Sequence, residues 1–161
     1  MELTATAIEE GPPRRRRSRN STKVIASLLL SLGALVCASS AGAQDMEAIS
    51  QAKAAATAWL ALLDAGNYAA SWEQSAGLFK AALSPSSWAS AARAKRAPLG
   101  ALKLREVNST AFTRKMPGAP DGEYVVIMYA SQFENRADAT EIVTPVREKD
   151  GSWRVSGYDI R

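Results

Sequence analysis

The spacing of apolar residues changes once along this chain, close to Leu99 and Gly100. Before that point they recur at intervals of three and four, which is the period of an amphipathic helix. After it they alternate, which is the period of a strand with one buried face. A chain that places its helices first and its strands afterwards is expected to fold as α+β. The sequence therefore predicts N-terminal helices packed on one face of a curved antiparallel sheet of about four strands.

The helical half carries clear start and stop signals. The first helix has one apolar face, formed by Ile49, Ala52, Ala56, Trp59, Leu60 and Leu63. Gly66 suits the left-handed position that ends a helix, and Asn67 can cap a short second helix. Ser84 followed by Pro85 begins a later helix, which is predicted to stop at Pro98.

The strand half is divided by turn signals, of which Asp150-Gly151 is a strong hairpin signal. In the first strand Leu102 and Leu104 alternate with Lys103 and Arg105. The later strands are predicted at about Glu123 to Phe133, Thr140 to Glu148 and Trp153 to Ile160. Pro145 lacks a donor for the ladder, so a bulge or local break is expected there.

The second strand is apolar on both faces. Val125, Ile127, Tyr129 and Phe133 fall on one face, and Tyr124, Val126 and Met128 fall on the other. A sheet covered by helices on one side is usually polar behind. Either this strand is simply central and hydrophobic, or a second copy of the domain covers the back of the sheet as a homodimer.

The first 43 residues have the order of a secretory signal peptide. A basic stretch at 14–23 precedes an apolar run at 24–36, and Ala41 and Ala43 fit a cleavage pattern before Gln44. Residues 1–43 are therefore predicted to be a leader, and residues 44–161 a single exported domain in the periplasm or medium. An uncleaved anchor is the alternative, because 20 uncharged residues run from Val24 to Ala43.

Composition excludes several kinds of chemistry. The chain has no histidine, and its single cysteine, Cys37, lies in the leader. The mature domain then has no Ser-His or Cys-His machinery, no imidazole or thiolate metal site and no disulfide. From Gln44 onward there are 14 basic and 13 acidic residues, a net charge of +1 that gives no case for nucleic acid. No metal and no cofactor is expected.

Four separated motifs resemble a bacterial exported family, the domain of unknown function numbered 4019. They are residues 59–68 with Ser71-Trp72, 96–100, 117–124 and 150–158. The resemblance implies a secreted or periplasmic protein and carries no catalytic residues. The order of helices and sheet is also similar to the NTF2-like superfamily, which is an analogy of fold alone.

The aromatic residues are the first candidates for a binding site. Those that could line an apolar pocket between helices and sheet are Trp59, Trp72, Trp88, Tyr129 and Trp153. Large aromatics at helical spacing more often form the core of a small domain, and that is the competing interpretation.

Carboxylates near aromatic residues are the second candidates. Asp64, Asp159 or Glu123 could act as a general base with a tyrosine as electrophile, the tyrosine being Tyr124, Tyr129 or Tyr158. Asp64 lies in a helix-ending turn and Asp159 beside the C-terminus, where both are expected to face solvent.

Two other groups are explained without a ligand. The run at 117–122 is a turn and lacks the features of a phosphate loop. Arg93, Lys95 and Arg96 lie at a helix C-terminus, where cations are favourable.

Two functions remain. The first is a non-catalytic envelope domain that binds a small apolar ligand or a protein partner, with membrane contact only through the leader. The alternative is a small pocket enzyme of isomerase or hydratase type, which uses a carboxylate and a tyrosine.

Overall fold

The computed structural model describes the backbone of residues 21–161 and the side-chain environment from residue 42 onward. The basic stretch up to residue 20, and the side chains of the apolar run, Cys37 and Ala41, lie outside the described residues. The elements run in the order α1 (Ser21–Asp64), α2 (Tyr68–Glu73), α3 (Gly77–Ala82), α4 (Pro85–Arg96), a 3-10 turn (Ala97–Leu99), β1 (Leu102–Thr113), β2 (Tyr124–Phe133), β3 (Arg136–Arg147) and β4 (Trp153–Ile160). The chain divides after Ser40, and the following description concerns Ala41–Arg161.

The helix boundaries follow the signals in the sequence. Gly66 has a φ of 71°, the left-handed conformation that suits glycine after a helix. The side chain of Asn67 accepts a hydrogen bond from the backbone N–H of Ala70, and that of Ser84 accepts one from Ser87. These bonds satisfy N–H groups that have no partner within their helices. The predicted caps are therefore confirmed.

The sheet is antiparallel and its strands lie in sequence order, β1-β2-β3-β4. The predicted α+β class is confirmed. β3 begins at Arg136, four residues before the predicted start at Thr140. The likeness to the NTF2-like superfamily stays a prediction.

The strand register shifts in several places. Leu102 pairs with Phe133 and Leu104 with Gln132, so one extra residue lies between them on β1. The expected irregularity at Pro145 is confirmed, because Thr144 pairs with Gly157 whereas Pro145 pairs with Val155. Each extra residue changes which face the following side chains occupy.

The main core lies between the helices and one face of the sheet. All but one of the apolar residues predicted for the α1 face are buried, and Ile49 is partly buried against them. The same cluster contains Val125, Ile127 and Tyr129 of β2. A disulfide-free domain of this size depends on this cluster for most of its stability.

The back of the sheet is only partly covered. Val126, Met128 and Ile142 are half-buried there. Tyr124, predicted to share this outward face, is instead 2% exposed, because Met116 and Ala119 of the β1–β2 loop pack against it. The chain itself therefore covers one end of the sheet, and a homodimer through the rest of this face stays a prediction.

Candidate functional site

Most of the aromatic candidates belong to the core. Trp59, Trp88, Trp153 and Tyr129 are buried in the main cluster, and Trp72 packs at its edge. The ring centroids of Trp59 and Trp88 are 5.6 Å apart, and those of Phe79 and Trp88 are 4.9 Å apart with an edge-to-face arrangement. These rings contact one another, so the region between helices and sheet is filled where they meet.

The indole groups are also used in structural hydrogen bonds. Trp59 Nε1 donates to the Ser71 carbonyl at 2.8 Å and to Ser75 Oγ at 2.9 Å. Trp88 Nε1 donates to Ser71 Oγ at 2.9 Å. Because these donors are already paired inside the protein, they are not available to orient a ligand. Tyr129 Oη and Trp153 Nε1, in contrast, are buried without a partner in the described residues.

A buried group of charges lies beside this core. We call Asp64, Arg96, Arg105 and Glu141 the ionic cluster. Their side chains are 24%, 6%, 12% and 0% exposed, respectively. Two guanidinium groups and two carboxylates balance in charge, as burial requires. The cluster joins the ends of α1 and α4 to β1 and β3.

Glu141 accepts four hydrogen bonds. Its Oε1 accepts from Arg96 Nη1 and from Tyr158 Oη, both at 2.7 Å. Its Oε2 accepts from Arg105 Nε at 2.6 Å and from Ser131 Oγ at 2.7 Å. A carboxylate offers about four lone-pair positions, so the donors occupy all of them. Glu141 has no free lone pair with which to take a proton from a substrate.

Asp64 closes the cluster on the helix side. Arg105 donates to its two oxygens at 2.7 and 3.0 Å, which is the bidentate geometry that arginine forms with carboxylates. Arg96 Nη2 donates to Oδ1 as well. Asp64 is exposed, as the sequence predicts, but the sequence did not predict that two arginines hold its carboxylate at the rim of the core.

A bulge on β1 places Arg105 of the cluster on the inner face, and a bulge on β4 places Tyr158, a hydrogen-bond donor to the cluster, there. Simple alternation would put the side chains of Leu102 and Arg105 on opposite faces of β1. The extra residue on β1 puts both side chains on the inner face, and Arg105 pairs with Ser131 of β2. The predicted alternation of Leu102 and Leu104 with Arg105 is therefore wrong, and Leu104 lies on the outer face, 42% exposed. On β4 the bulge leaves Ser156 without a strand partner, so Tyr158 faces inward like Val155.

Glu141 is not among the candidate residues that the sequence predicts. The sequence did contain a signal, because Glu141 lies two residues before Val143 and therefore on the same face of β3. The structure shows that Val143 is buried, at 0% exposed. The interpretation of Arg96 as a cation at a helix end was also incomplete. Its guanidinium turns into the core, whereas Lys95 pairs at the surface with Asp159 at 2.6 Å.

The pKa directions follow from this packing. Burial, and next the charge of Glu141, raise the pKa of the Tyr158 phenol well above its usual value. For Arg105, burial lowers the pKa, but the hydrogen bonds to Asp64 and Glu141 raise it by more. The pKa of Tyr129 is raised chiefly by burial. Tyr158 therefore stays protonated and donates to Glu141, and both groups act as a structural pair.

A cavity of about 300 Å³ opens beside the cluster. Its lining includes Asp64, Tyr68 and Arg96. Asp64 thus shares an opening with a tyrosine, but Tyr68 is not one of the three tyrosines that the enzymatic alternative named. Asp64, however, already binds two guanidinium groups through three hydrogen bonds. This environment holds an anion in place and does not suit proton abstraction.

A second opening, of about 330 Å³, differs in chemistry. We call it the apolar groove. It is lined by Leu78, Met116, Gly118, Ala119, Pro120, Tyr124, Thr144, Ser156 and Gly157. Ser156 Oγ donates to the Thr144 carbonyl at 2.8 Å, and Tyr124 Oη donates to the Pro120 carbonyl at 2.7 Å. With these polar groups paired, the lining presents mainly apolar surface.

The other carboxylate candidates lie apart from both openings. Asp159, 40% exposed, pairs with Lys95 and Arg161 at the surface, and the Lys95 hydrogen bond is the main reason that its pKa is lowered. Glu123 pairs with Arg147 at 3.0 Å. Neither lines the cavity that holds Tyr68 or the groove that holds Tyr124. Among the described residues, no group of three His, Cys, Asp or Glu side chains is arranged to hold a metal ion.

The comparisons with known proteins give one match. The model of the family described as "Protein of unknown function (DUF4019)" matches residues 55–158, which include all the described helices after α1, the sheet except the last two residues of β4, and the whole ionic cluster. No curated protein and no solved structure matches the chain. None of the helices in the part of the chain that the structure describes combines the length and the hydropathy that a membrane-spanning segment needs.

Proposed function

Because the chain belongs to the DUF4019 family of proteins of unknown function, we propose a role from the geometry of its own residues. The protein is an exported, non-catalytic domain that binds a small apolar ligand in the apolar groove. The observation that carries this proposal is the contrast between the two openings. The cavity with acid–base groups has its carboxylate occupied by arginines, whereas the groove offers unoccupied apolar surface.

The size and lining of the groove support a small ligand. Its volume of about 330 Å³ lies at the lower end of the range for small-molecule sites. Leu78 is 38% exposed at its edge, and Tyr124 forms a buried wall at 2% exposed. Burying the exposed part of one leucine and the neighbouring apolar atoms is worth on the order of 2 kcal/mol.

Export is supported by the order of segments before Gln44. The basic stretch, the apolar run and the small residues ending at Ala43 have the order that signal peptidases recognise. We expect intact mass measurement of protein from the periplasm or medium to give a chain that begins at Gln44 or within a residue or two. Full-length protein held in the inner membrane would contradict export and favour the anchor.

Ligand binding is tested with N-phenyl-1-naphthylamine, an uncharged apolar probe whose fluorescence rises on burial. The variant is Leu78→Asp. Leu78 is the second residue of α3, where an acidic side chain favours the helix, so the fold should persist. The matched control is Leu104→Asp, because Leu104 is 42% exposed on the outer face of β1 and does not line the groove.

We expect saturable binding to the unaltered protein, weakened about tenfold by Leu78→Asp and less than about twofold by the control. Equal effects of the two substitutions, or no saturable binding to the unaltered protein, would show that the groove is not the site. Circular dichroism of both variants checks that the comparison is made between folded proteins.

The enzymatic alternative, of isomerase or hydratase type, has less support. It needs a carboxylate that is free to accept a proton next to a tyrosine. Glu141 accepts four hydrogen bonds, and Asp64 accepts three from two arginines. We therefore assign both carboxylates to structure, and the ligand site to the groove.

A further inference from the structure

Acidic residues appear in the first helix only from Asp45 onward. From Ser21 to Ala43 the sequence has none, and then Asp45 and Glu47 follow within four residues of Ala43. Acidic side chains are favourable in the first turn of a helix, where they face the positive end of its dipole. The sequence thus has the pattern of a helix start directly after the proposed cleavage position.

The folded domain holds the chain at the same place. Asp45 Oδ1 accepts a hydrogen bond from Arg114 Nη2 at 3.3 Å. Arg114 also lies 3.7 Å from Glu123, which in turn pairs with Arg147 at 3.0 Å. The compact unit begins at Ala41, so cleavage after Ala43 leaves these contacts of Asp45 in place.

Gln44 itself is exposed, and it directly precedes Asp45. We propose that Gln44, once freed by cleavage, cyclises to pyroglutamate, so that the mature protein has a blocked, uncharged N-terminus. This inference rests on the proposed export and cleavage. The site of modification is the Gln44 α-amino group together with its own side-chain amide.

The reaction is balanced without a co-reactant. The deprotonated α-amino nitrogen attacks the side-chain Cδ, which forms the N–Cδ bond of a five-membered lactam. The Cδ–Nε bond breaks, and the leaving nitrogen takes up a proton from the attacking nitrogen and departs as ammonia. No oxidation or reduction occurs. The product has lost one ammonia and the positive charge of the α-ammonium group.

The helix dipole favours the loss of that charge. A free α-ammonium group on Gln44 would lie at the positive end of the helix dipole, one residue before Asp45, which accepts a hydrogen bond from Arg114. The lactam carries no charge there. Because the Gln44 side chain is exposed, it is free to turn back toward the α-amino group.

The test uses the full chain, exported with its own leader and purified from the periplasm or medium without a tag. Intact mass and Edman degradation are measured on the unaltered protein and on Gln44→Ala, which cannot cyclise. We expect the unaltered chain to begin at Gln44, to be lighter by one ammonia and to resist Edman degradation. Gln44→Ala should have its full mass and be readable from residue 44.

Each other outcome has a distinct meaning. A chain that begins at Gln44 with its full mass and a readable N-terminus overturns the cyclisation and leaves the proposed export standing. An uncleaved chain overturns export, and the cyclisation with it. A chain that begins at another residue overturns the cyclisation alone.

Discussion

Neutralising Glu141 is the perturbation that tests the ionic cluster most directly. In Glu141→Gln the side chain keeps its size, but Arg96 and Arg105 are left with only Asp64 to balance them. Both arginines are largely buried, so water cannot screen the unbalanced charge. We expect this substitution to be among the most destabilising in the domain.

The magnitude follows from burial. Removing one partner from a buried ion pair costs about 3–5 kcal/mol, and we expect the lower end because glutamine still offers one acceptor oxygen. About 3 kcal/mol is a large part of the 5–15 kcal/mol that such domains possess. At about 4 °C for each kcal/mol, the midpoint of thermal unfolding should fall by about 12 °C.

The control is an ion pair of the same length at the surface. Lys95 Nζ and Asp159 Oδ1 are 2.6 Å apart, as are Arg105 Nε and Glu141 Oε2, but the Lys95 and Asp159 side chains are 50% and 40% exposed. Asp159→Asn should therefore cost less than about 1 kcal/mol. Urea unfolding of the mature domain measures both values.

A double substitution checks the cause. Adding Arg96→Met to Glu141→Gln restores the balance of charge and should recover more than about 1 kcal/mol relative to the sum of the two single effects. If Glu141→Gln costs no more than Asp159→Asn, or if the two changes in the cluster are simply additive, burial of balanced charges is not what makes Glu141 important.

Three further outcomes are expected. The pKa of the Tyr158 phenol is higher in the folded protein than in the unfolded chain, so its contribution to stability is complete below about pH 10 and is lost as the pH rises toward the folded pKa. In urea unfolding, the free energy of unfolding should therefore fall more steeply above about pH 10 for the unaltered protein than for Tyr158→Phe. Gly66→Ala should cost about 1 kcal/mol from its φ of 71° alone, because no atom lies within 4 Å of the new Cβ, whereas Gly100→Ala should cost more, because that Cβ would lie 2.8 Å from Glu134 Cβ; equal costs in thermal unfolding would contradict this. For the proposed homodimer, Val126→Lys should convert dimer to monomer in sedimentation equilibrium without unfolding the domain, and an unaltered protein that is monomeric at high concentration would refute it.

The features that sequence predicted well are those fixed by a few neighbouring residues. Asn67 and Ser84 cap helices because their short side chains reach a backbone N–H within the next turn. Gly66 ends α1 because its backbone tolerates a positive φ. The change in the spacing of apolar residues near Gly100 predicted the order of helices and strands for the same reason. Spacing of three and four residues indicates a helix and alternation indicates a strand, and both depend on neighbouring residues only.

The ionic cluster could not be predicted in the same way, because its members come from distant parts of the chain. Arg105 turns inward only because an extra residue enters β1 where it pairs with β2. That shift depends on the pairing of two strands and has no marker as local as a glycine or proline. Pro145 did mark the irregularity between β3 and β4, but which face Tyr158 would occupy depended on where the extra residue fell.

The bulge on β4 connects the cluster to the apolar groove. Ser156 and Gly157 line the groove, and the next residue, Tyr158, donates to Glu141 on the inner face. The Ser156 hydroxyl bonds to the Thr144 carbonyl, which fixes the bulge at the point where β4 changes phase. The hydrogen bonds of Glu141 to Tyr158, Ser131 and the two arginines are directional, so they favour this strand register over one shifted by a residue, which nonpolar contacts alone distinguish less well. The carboxylates of the ionic cluster therefore have a structural role beyond the core. The strand register that their hydrogen bonds favour also places Ser156 and Gly157 in the wall of the apolar groove.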